Sequence, residues 1–318
     1  ARHGSGAGDA FLRSGVQFGG NGTDMVSSEL TVVLGGACLP HITMRMTSAR
    51  SAPAIRRSMS WAVSVVVVLC LLLTVIGVGA AALVGRTAIT AAGPQGNSAI
   101  LQVSGAVASA GEAGAVVVTA MTTAIFLTLL ASVAGMILAC ANSLAHDLFA
   151  HGLHGMRTPG RAPVAGPVEM GTARAAAAGV GLLTIALAVP ARHWNLQALV
   201  MLSFCVGASA LAPALVYSMF WRRFTRTGLL CTLIGGTVSV LVLITGTDLV
   251  SGSPAAVFPA HDFNWFPFTT TGLVSIPAGF LAGWLGTVLG QRTAVEERRM
   301  YEAEEPWILA GAPPADRT

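Results

Sequence analysis

The chain contains no lysine, and all eighteen of its basic residues are arginine. Charged residues of both signs fill only 10% of its 318 positions, against about 25% in soluble domains. That shortage argues against a soluble globular fold. Basic patches with interleaved aromatics are also missing, so a nucleic-acid partner is not expected. The arginine-only basicity, with its Ala and Gly excess, fits a bacterium with a GC-rich genome. There are five cysteines, Cys38, Cys70, Cys140, Cys205 and Cys231. They are odd in number, form no CxxC and fall in apolar segments, which points to small core residues rather than a disulfide framework. The first thirty residues lack a basic stretch followed by an apolar one, so they do not read as a signal peptide. Gly-rich and polar, they read as a loop of a longer protein whose beginning is missing. No carboxylate lies deep in any apolar run, which argues against a carboxylate proton relay. No Ser-His-Asp arrangement, phosphate-binding glycine loop or HExxH pattern is present, so an enzyme is not expected and no organic cofactor is implied. His146, His151 and His154 with Asp147, in "AHDLFAHGLHG", match no standard zinc spacing.

What the chain has in abundance is apolar length. Over half of it is hydrophobic (53%) and its mean hydropathy is +0.70. Uninterrupted apolar runs of about 18 residues or more predict a polytopic all-α integral membrane protein. Continuous runs, rather than alternating ones, exclude a transmembrane β-barrel. Seven spans are predicted at 29–45, 60–85, 116–145, 174–191, 195–219, 227–248 and 269–290. Residues 1–28 then form an outer loop, 29–290 the membrane domain and 291–318 a tail. With seven spans the two ends face opposite sides. Fourteen of the eighteen arginines, including Arg45, Arg50, Arg56, Arg57, Arg222, Arg223 and Arg226, fall on the side of the tail. The positive-inside rule therefore predicts an extracellular start, a cytoplasmic tail and a multi-pass plasma-membrane location. In the outer loops, Ala99 to Ala108 is too short to span and suits a surface helix or a re-entrant element. Trp265, Phe266 and Phe268 read as an interfacial aromatic belt.

Two segments carry polar or small groups at membrane depth. In the third span, Thr128, Ser132, Gly135, Ala139 and Asn142 recur at helical spacing and share one face. Small polar stripes pack helices together. Alternatively, Thr128 and Ser132 supply oxygens to a cation, since hard cations prefer oxygen ligands. In the first span, Gly35 and Gly36 either pack helices or loosen the helix into a discontinuous one that exposes backbone groups.

Three motifs carry a family resemblance. "LGGACLPHITMRMTSARSAPAIRRSMSWA", "GMILACANSLAHDLF" and "SMFWRRFTRTGLLCTLIGGTVSVLVLI" occur in that order. Together they resemble the cation/acetate (monocarboxylate) branch of the sodium:solute symporter family, from about Phe11 to Trp284. The resemblance implies the LeuT-type inverted-repeat transporter fold, with this chain holding the second repeat plus two C-terminal helices. It implies symport of a small monocarboxylate such as acetate, propionate or pyruvate with Na+ as coupling ion. Partners are then the organic anion, Na+ and the lipid bilayer. By the same resemblance, two adjacent positions before Asp147 belong to a sodium site, here Ala131 and Ser132, with Thr128 one turn earlier. Ala131 departs from the hydroxyl usual in members with a well-defined site. Gly35 and Gly36 would lie at the midpoint of a broken helix along the substrate path, with Asn142 also lining that path. Two alternatives stand beside this reading: a truncated membrane protein that transports nothing, and a family symporter for another small solute such as proline.

Overall fold

The computed structural model describes residues 21–47, 52–92, 96, 98–108, 112–144, 167–191, 196–252, 256–258 and 260–290. The histidine loop with His146, Asp147, His151 and His154 lies outside these residues, as do Arg50, Arg157, Arg161 and the arginines of the tail. Helices make up most of the described chain, with no strand among the described residues. They are α1 (Gly22–Ala37), α2 (Pro40–Thr47), α3 (Ala52–Leu83), α4 (Arg86–Ala92), α5 (Ala99–Val107) and α6 (Glu112–Asn142). Next come α7 (Pro167–Ala191), α8 (Leu196–Val206), a π-helical turn (Gly207–Leu211), α9 (Ala212–Phe220), α10 (Arg226–Ile244) and α11 (Gly272–Leu289).

Seven helical segments are long and apolar enough to cross a membrane: Gly22–Thr43, Pro53–Leu83, Gly114–Asn142, Ala173–Ala191, Leu196–Phe220, Arg226–Ile244 and Gly272–Leu289. The architecture is that of an all-α membrane protein. Several helices reach beyond the apolar runs because polar residues extend them as caps and first turns. The first is the clearest case, starting at Gly22 rather than 29. Asn21 caps it, its Oδ1 accepting from the Thr23 amide at 3.2 Å and the Thr23 hydroxyl at 2.7 Å. Asp24 follows in the first turn, where the helix dipole favours a negative charge. A carboxylate therefore sits at the very start of a membrane-crossing segment, in its first turn rather than deep within it.

The chain divides into two compact units, one formed by α1–α4 and α8–α11 and the other by α5–α7. In the second unit, α6 packs on α7 and on the nine-residue α5. In the first, α10 and α11 form the tightest pair, and small residues allow it. A methyl on Gly235 would come within 2.7 Å of the Ala282 side chain, and one on Gly286 would meet Cys231 Sγ at 2.7 Å. Close backbone approach of this kind replaces the hydrophobic drive that lipid cannot supply. The loop between α10 and α11 folds on itself. The Gly246 carbonyl accepts from the amides of Trp265 (3.1 Å) and Phe266 (2.8 Å), and Ser251 bridges to Phe258. Trp265 is exposed, but Phe266 is buried, with the rings of Trp265 and Phe268 edge-on to it. Phe266 is thus a core residue of the loop and not part of an interfacial belt.

Candidate functional site

Helix α1 ends at Ala37 and α2 begins at Pro40, so the first membrane-crossing segment is interrupted at Cys38–Leu39. Proline explains the place. It is tolerated at a helix start but disfavours a helical conformation in the residue before it. The Cys38 amide turns back to the Gly35 carbonyl at 3.2 Å, and the Leu39 carbonyl accepts from Ile42 (3.0 Å) and Thr43 (3.1 Å) to start the new helix. The break therefore falls two residues beyond Gly35 and Gly36, both of which are helical.

The two glycines are not equivalent. A methyl on Gly35 would overlap the Phe204 carbonyl oxygen and lie 2.8 Å from that residue's Cα and carbonyl carbon. One on Gly207 would lie 3.1 Å from the Gly35 carbonyl oxygen. Gly35 is thus the crossing point of α1 over α8 and the π turn. Gly36 is half-buried, and a methyl there would meet nothing within 4 Å.

Around that crossing lies a seam of buried hydroxyls. Ser27 Oγ donates to the Thr270 carbonyl at 3.0 Å and meets Thr270 Oγ1 at 2.9 Å. It also accepts from the Leu273 amide at 3.2 Å. A serine on α1 thereby caps one of the otherwise unpaired amides at the start of α11. Thr31 donates to the Ser27 carbonyl at 2.7 Å. Across the bundle, Ser209 in the π turn donates to Ser275 Oγ at 2.7 Å, and Ser275 donates on to the Thr271 carbonyl at 2.9 Å. Ser27, Thr31, Ser209, Thr271 and Ser275 are all fully buried. Asp24 closes one end of the seam. Its Oδ1 accepts from the Thr269 amide at 2.8 Å and its Oδ2 from the Thr269 hydroxyl at 2.6 Å. The π turn belongs to the same construction. It pushes the Ser209 carbonyl outward against Gly236 and Gly279, where any methyl would overlap it. None of this was read from the sequence, although Ser27 and Thr31 are four apart and three threonines, Thr269 to Thr271, directly precede α11. That spacing was the available signal.

Thr128, Ser132 and Asn142 lie on α6 in the second unit, whereas Gly35 and Gly36 lie in the first. Thr128 and Ser132 are exposed and bond to their own helix, Thr128 Oγ1 to the Ala124 carbonyl at 2.8 Å and Ser132 Oγ to the Thr128 carbonyl at 2.9 Å. Ala131 is exposed beside them, Gly135 and Ala139 are half-buried, and Asn142 is exposed at the end of the helix. A hydroxyl that spends its hydrogen on its own helix keeps its oxygen lone pairs for another ligand. Thr128 and Ser132 thus present two oxygens on one face, a donor set that suits a hard cation. Two oxygens alone do not complete a hard cation's coordination shell.

The sequence profile of the sodium:solute symporter family matches residues 9–236. The chain is 36% identical over 285 residues to a monocarboxylic acid transporter of Corynebacterium glutamicum, which covers 88% of this chain and 50% of that protein. It is 35% identical over 283 residues to the uncharacterized symporter YwcA of Bacillus subtilis, covering 88% and 52%. The chain spans about half the length of the curated relatives it matches. No solved structure matches it.

Proposed function

The chain belongs to the sodium:solute symporter family, and from that premise we propose that it forms half of a sodium-coupled symporter for a small monocarboxylate such as acetate, propionate or pyruvate. The observation that carries the substrate class is the 36% identity, across 88% of this chain, to a protein named as a monocarboxylic acid transporter. In this reading the chain supplies the second repeat of a LeuT-type fold and the two helices after it. The transporter works by alternating access around a midplane site. Thr128 and Ser132 contribute two sodium ligands, and the remaining ligands come from the other half. The α1–α2 interruption and Asn142 line the substrate path, where an unwound helix terminus offers backbone donors to the carboxylate. The arginine bias supports a cytoplasmic C-terminal tail, with the α10–α11 loop on the opposite, outer face.

A chimera provides the test. The chain replaces the matching half of the Corynebacterium glutamicum relative, and the product is reconstituted in proteoliposomes. Radiolabelled acetate, propionate or pyruvate should accumulate under an inward sodium gradient and cease to accumulate when choline replaces sodium. Accumulation indifferent to sodium would refute the coupling ion. Accumulation of proline with no monocarboxylate uptake would refute the substrate class.

A further inference from the structure

Residues 221–225 turn the chain between two membrane-crossing segments, Leu196–Phe220 and Arg226–Ile244, so they lie at one face of the bilayer. Aromatic rings hold the turn. Tyr217, Trp221 and Phe224 pack with centroids 5.0 to 6.2 Å apart, and Tyr217 Oη donates to the Phe280 carbonyl of α11 at 3.0 Å. The backbone closes with the Trp221 amide on the Tyr217 carbonyl (3.0 Å) and the Phe224 amide on the Trp221 carbonyl (2.9 Å). Buried Thr225 caps α10, its Oγ1 accepting from the Gly228 amide at 3.1 Å. With the rings packed together and the cap buried, Arg222, Arg223 and Arg226 are left exposed. No acidic residue occurs between positions 196 and 247 or in α11.

An apolar path leads from these arginines into the bilayer. On α10 the buried residues Gly228, Thr232, Gly236 and Val240 recur at every fourth position. Arg226, Leu230, Ile234 and Val238 repeat the same spacing two places earlier and are all exposed. Arg226 thus heads a row whose remainder is aliphatic. By the helical rise, Ile234 and Val238 lie about 12 and 18 Å along the axis from Arg226. Those distances bracket half of a hydrocarbon core about 30 Å thick. The row is as long as an acyl chain is deep, with a cation at its water end.

We propose that this turn binds an anionic phospholipid, its phosphate held by Arg222, Arg223 and Arg226 and one acyl chain lying along the row of Leu230, Ile234 and Val238. Arginine suits the task. Its planar fork bonds a phosphate through two parallel N–H groups and is more weakly hydrated than an ammonium. Arg222 and Arg226 also interact elsewhere in the chain, and the five N–H donors of each guanidinium accommodate a phosphate in addition. A zwitterionic lipid would bring its own ammonium against three arginines, so net charge, and not phosphate alone, sets the choice. A soluble phosphate would forgo the aliphatic row. The assignment depends on neither the coupling ion nor the transported solute.

The purified full chain in micelles, titrated with phosphatidylglycerol or phosphatidylcholine of identical acyl chains and read by native mass spectrometry, tests the site. The first phosphatidylglycerol should bind on the order of tenfold more tightly than the first phosphatidylcholine. Arg223→Gln should weaken phosphatidylglycerol by about fivefold, the worth of one arginine at an anionic membrane surface. Glutamine at Arg222, Arg223 and Arg226 together should abolish the preference. Lysine at the same three positions keeps the charge and should restore a preference, which separates lost charge from lost fold. Arg56→Gln with Arg57→Gln, at exposed arginines near the start of α3, should leave the first-lipid affinity unchanged. Equal affinity for the two lipids would overturn the proposal. So would an equal loss in the α3 variant, which would reduce the effect to the general basicity of the chain. Displacement of phosphatidylglycerol by an equimolar amount of inorganic phosphate would overturn it too, because the ligand would then be a soluble anion.

Discussion

Alanine at Gly35 and alanine at Gly36 should have opposite consequences, and the contrast separates two views of the first membrane helix. Both substitutions gain about 1 kcal/mol of intrinsic helix propensity, so that contribution cancels when the two variants are compared. What remains is contact. At Gly35 the new methyl would lie 2.8 Å from two backbone carbons of Phe204, where ordinary carbon contacts are about 3.5–4.0 Å. The obstacle is backbone and cannot swing aside, so α1 and α8 must separate by roughly 1 Å or shift register. Overpacking of this order costs about 1–3 kcal/mol. At Gly36 a methyl meets nothing within 4 Å, and the variant should equal or exceed the wild type. Unfolding in mixed micelles, with exposure of buried Cys205 to a thiol reagent as readout, reads the difference because Cys205 lies beside the crossing on α8. Gly35→Ala should label Cys205 at least fivefold faster than Gly36→Ala, the ratio for about 1 kcal/mol. Equal labelling rates would refute the crossing. If both variants were stable and both lost transport in the chimera, the loosened-helix view would be right instead.

Three further outcomes follow from named contacts. Ser132→Ala in the chimera should raise the sodium concentration for half-maximal uptake by ~10-fold, equivalent to about 1.4 kcal/mol, and an unchanged value would remove Ser132 from the sodium site. Ser209→Ala removes the donor to Ser275 Oγ and should cost about 1–2 kcal/mol of stability in a denaturation assay, leaving sodium dependence unaltered. Gly279→Ala drives a methyl into the Ser209 carbonyl. It should destabilise more than Gly22→Ala, whose methyl would meet nothing within 4 Å, and equal melting temperatures for the two would contradict the π-turn packing.

The seven membrane-crossing segments were legible because apolar length alone marks them. Their ends were less so. Asn21, Thr23 and Asp24 are polar and read as loop, yet they cap and start α1. The interruption in the first segment was legible in kind but displaced, since Gly-Gly was weighed more heavily than Pro40. Glycine permits a bend, whereas proline imposes conformation on its neighbour. The buried seam was illegible for a different reason. Ser27 and Thr270 are 243 residues apart, and a single sequence carries no sign that "DMVSS" and "TTTG" meet. That Thr128 and Ser132 lie one turn apart on a single helix was legible, because that is a relation spacing does record.

Hydroxyls of the same type stand in different surroundings in the two units, and burial together with what some of their oxygens accept separates them. Thr128 and Ser132 each turn their hydrogen onto the preceding turn of α6, so the need to satisfy a donor in lipid is met within the helix and the oxygen is left as an acceptor. Ser27 donates once and accepts from both Leu273 and the Thr270 hydroxyl, which exhausts the capacity of a serine hydroxyl. Ser209 passes its hydrogen across to Ser275, whose oxygen is thereby occupied, and Ser275 turns its own hydrogen onto the Thr271 carbonyl four residues before it. A cation approaching the seam would have to break bonds that cost about 1–3 kcal/mol each to leave unmade. At α6 a cation need break none. Removing a hydroxyl from the seam should therefore lower stability without changing sodium dependence, and removing one from α6 should do the reverse. A seam variant that shifted sodium affinity at unchanged stability would contradict this division.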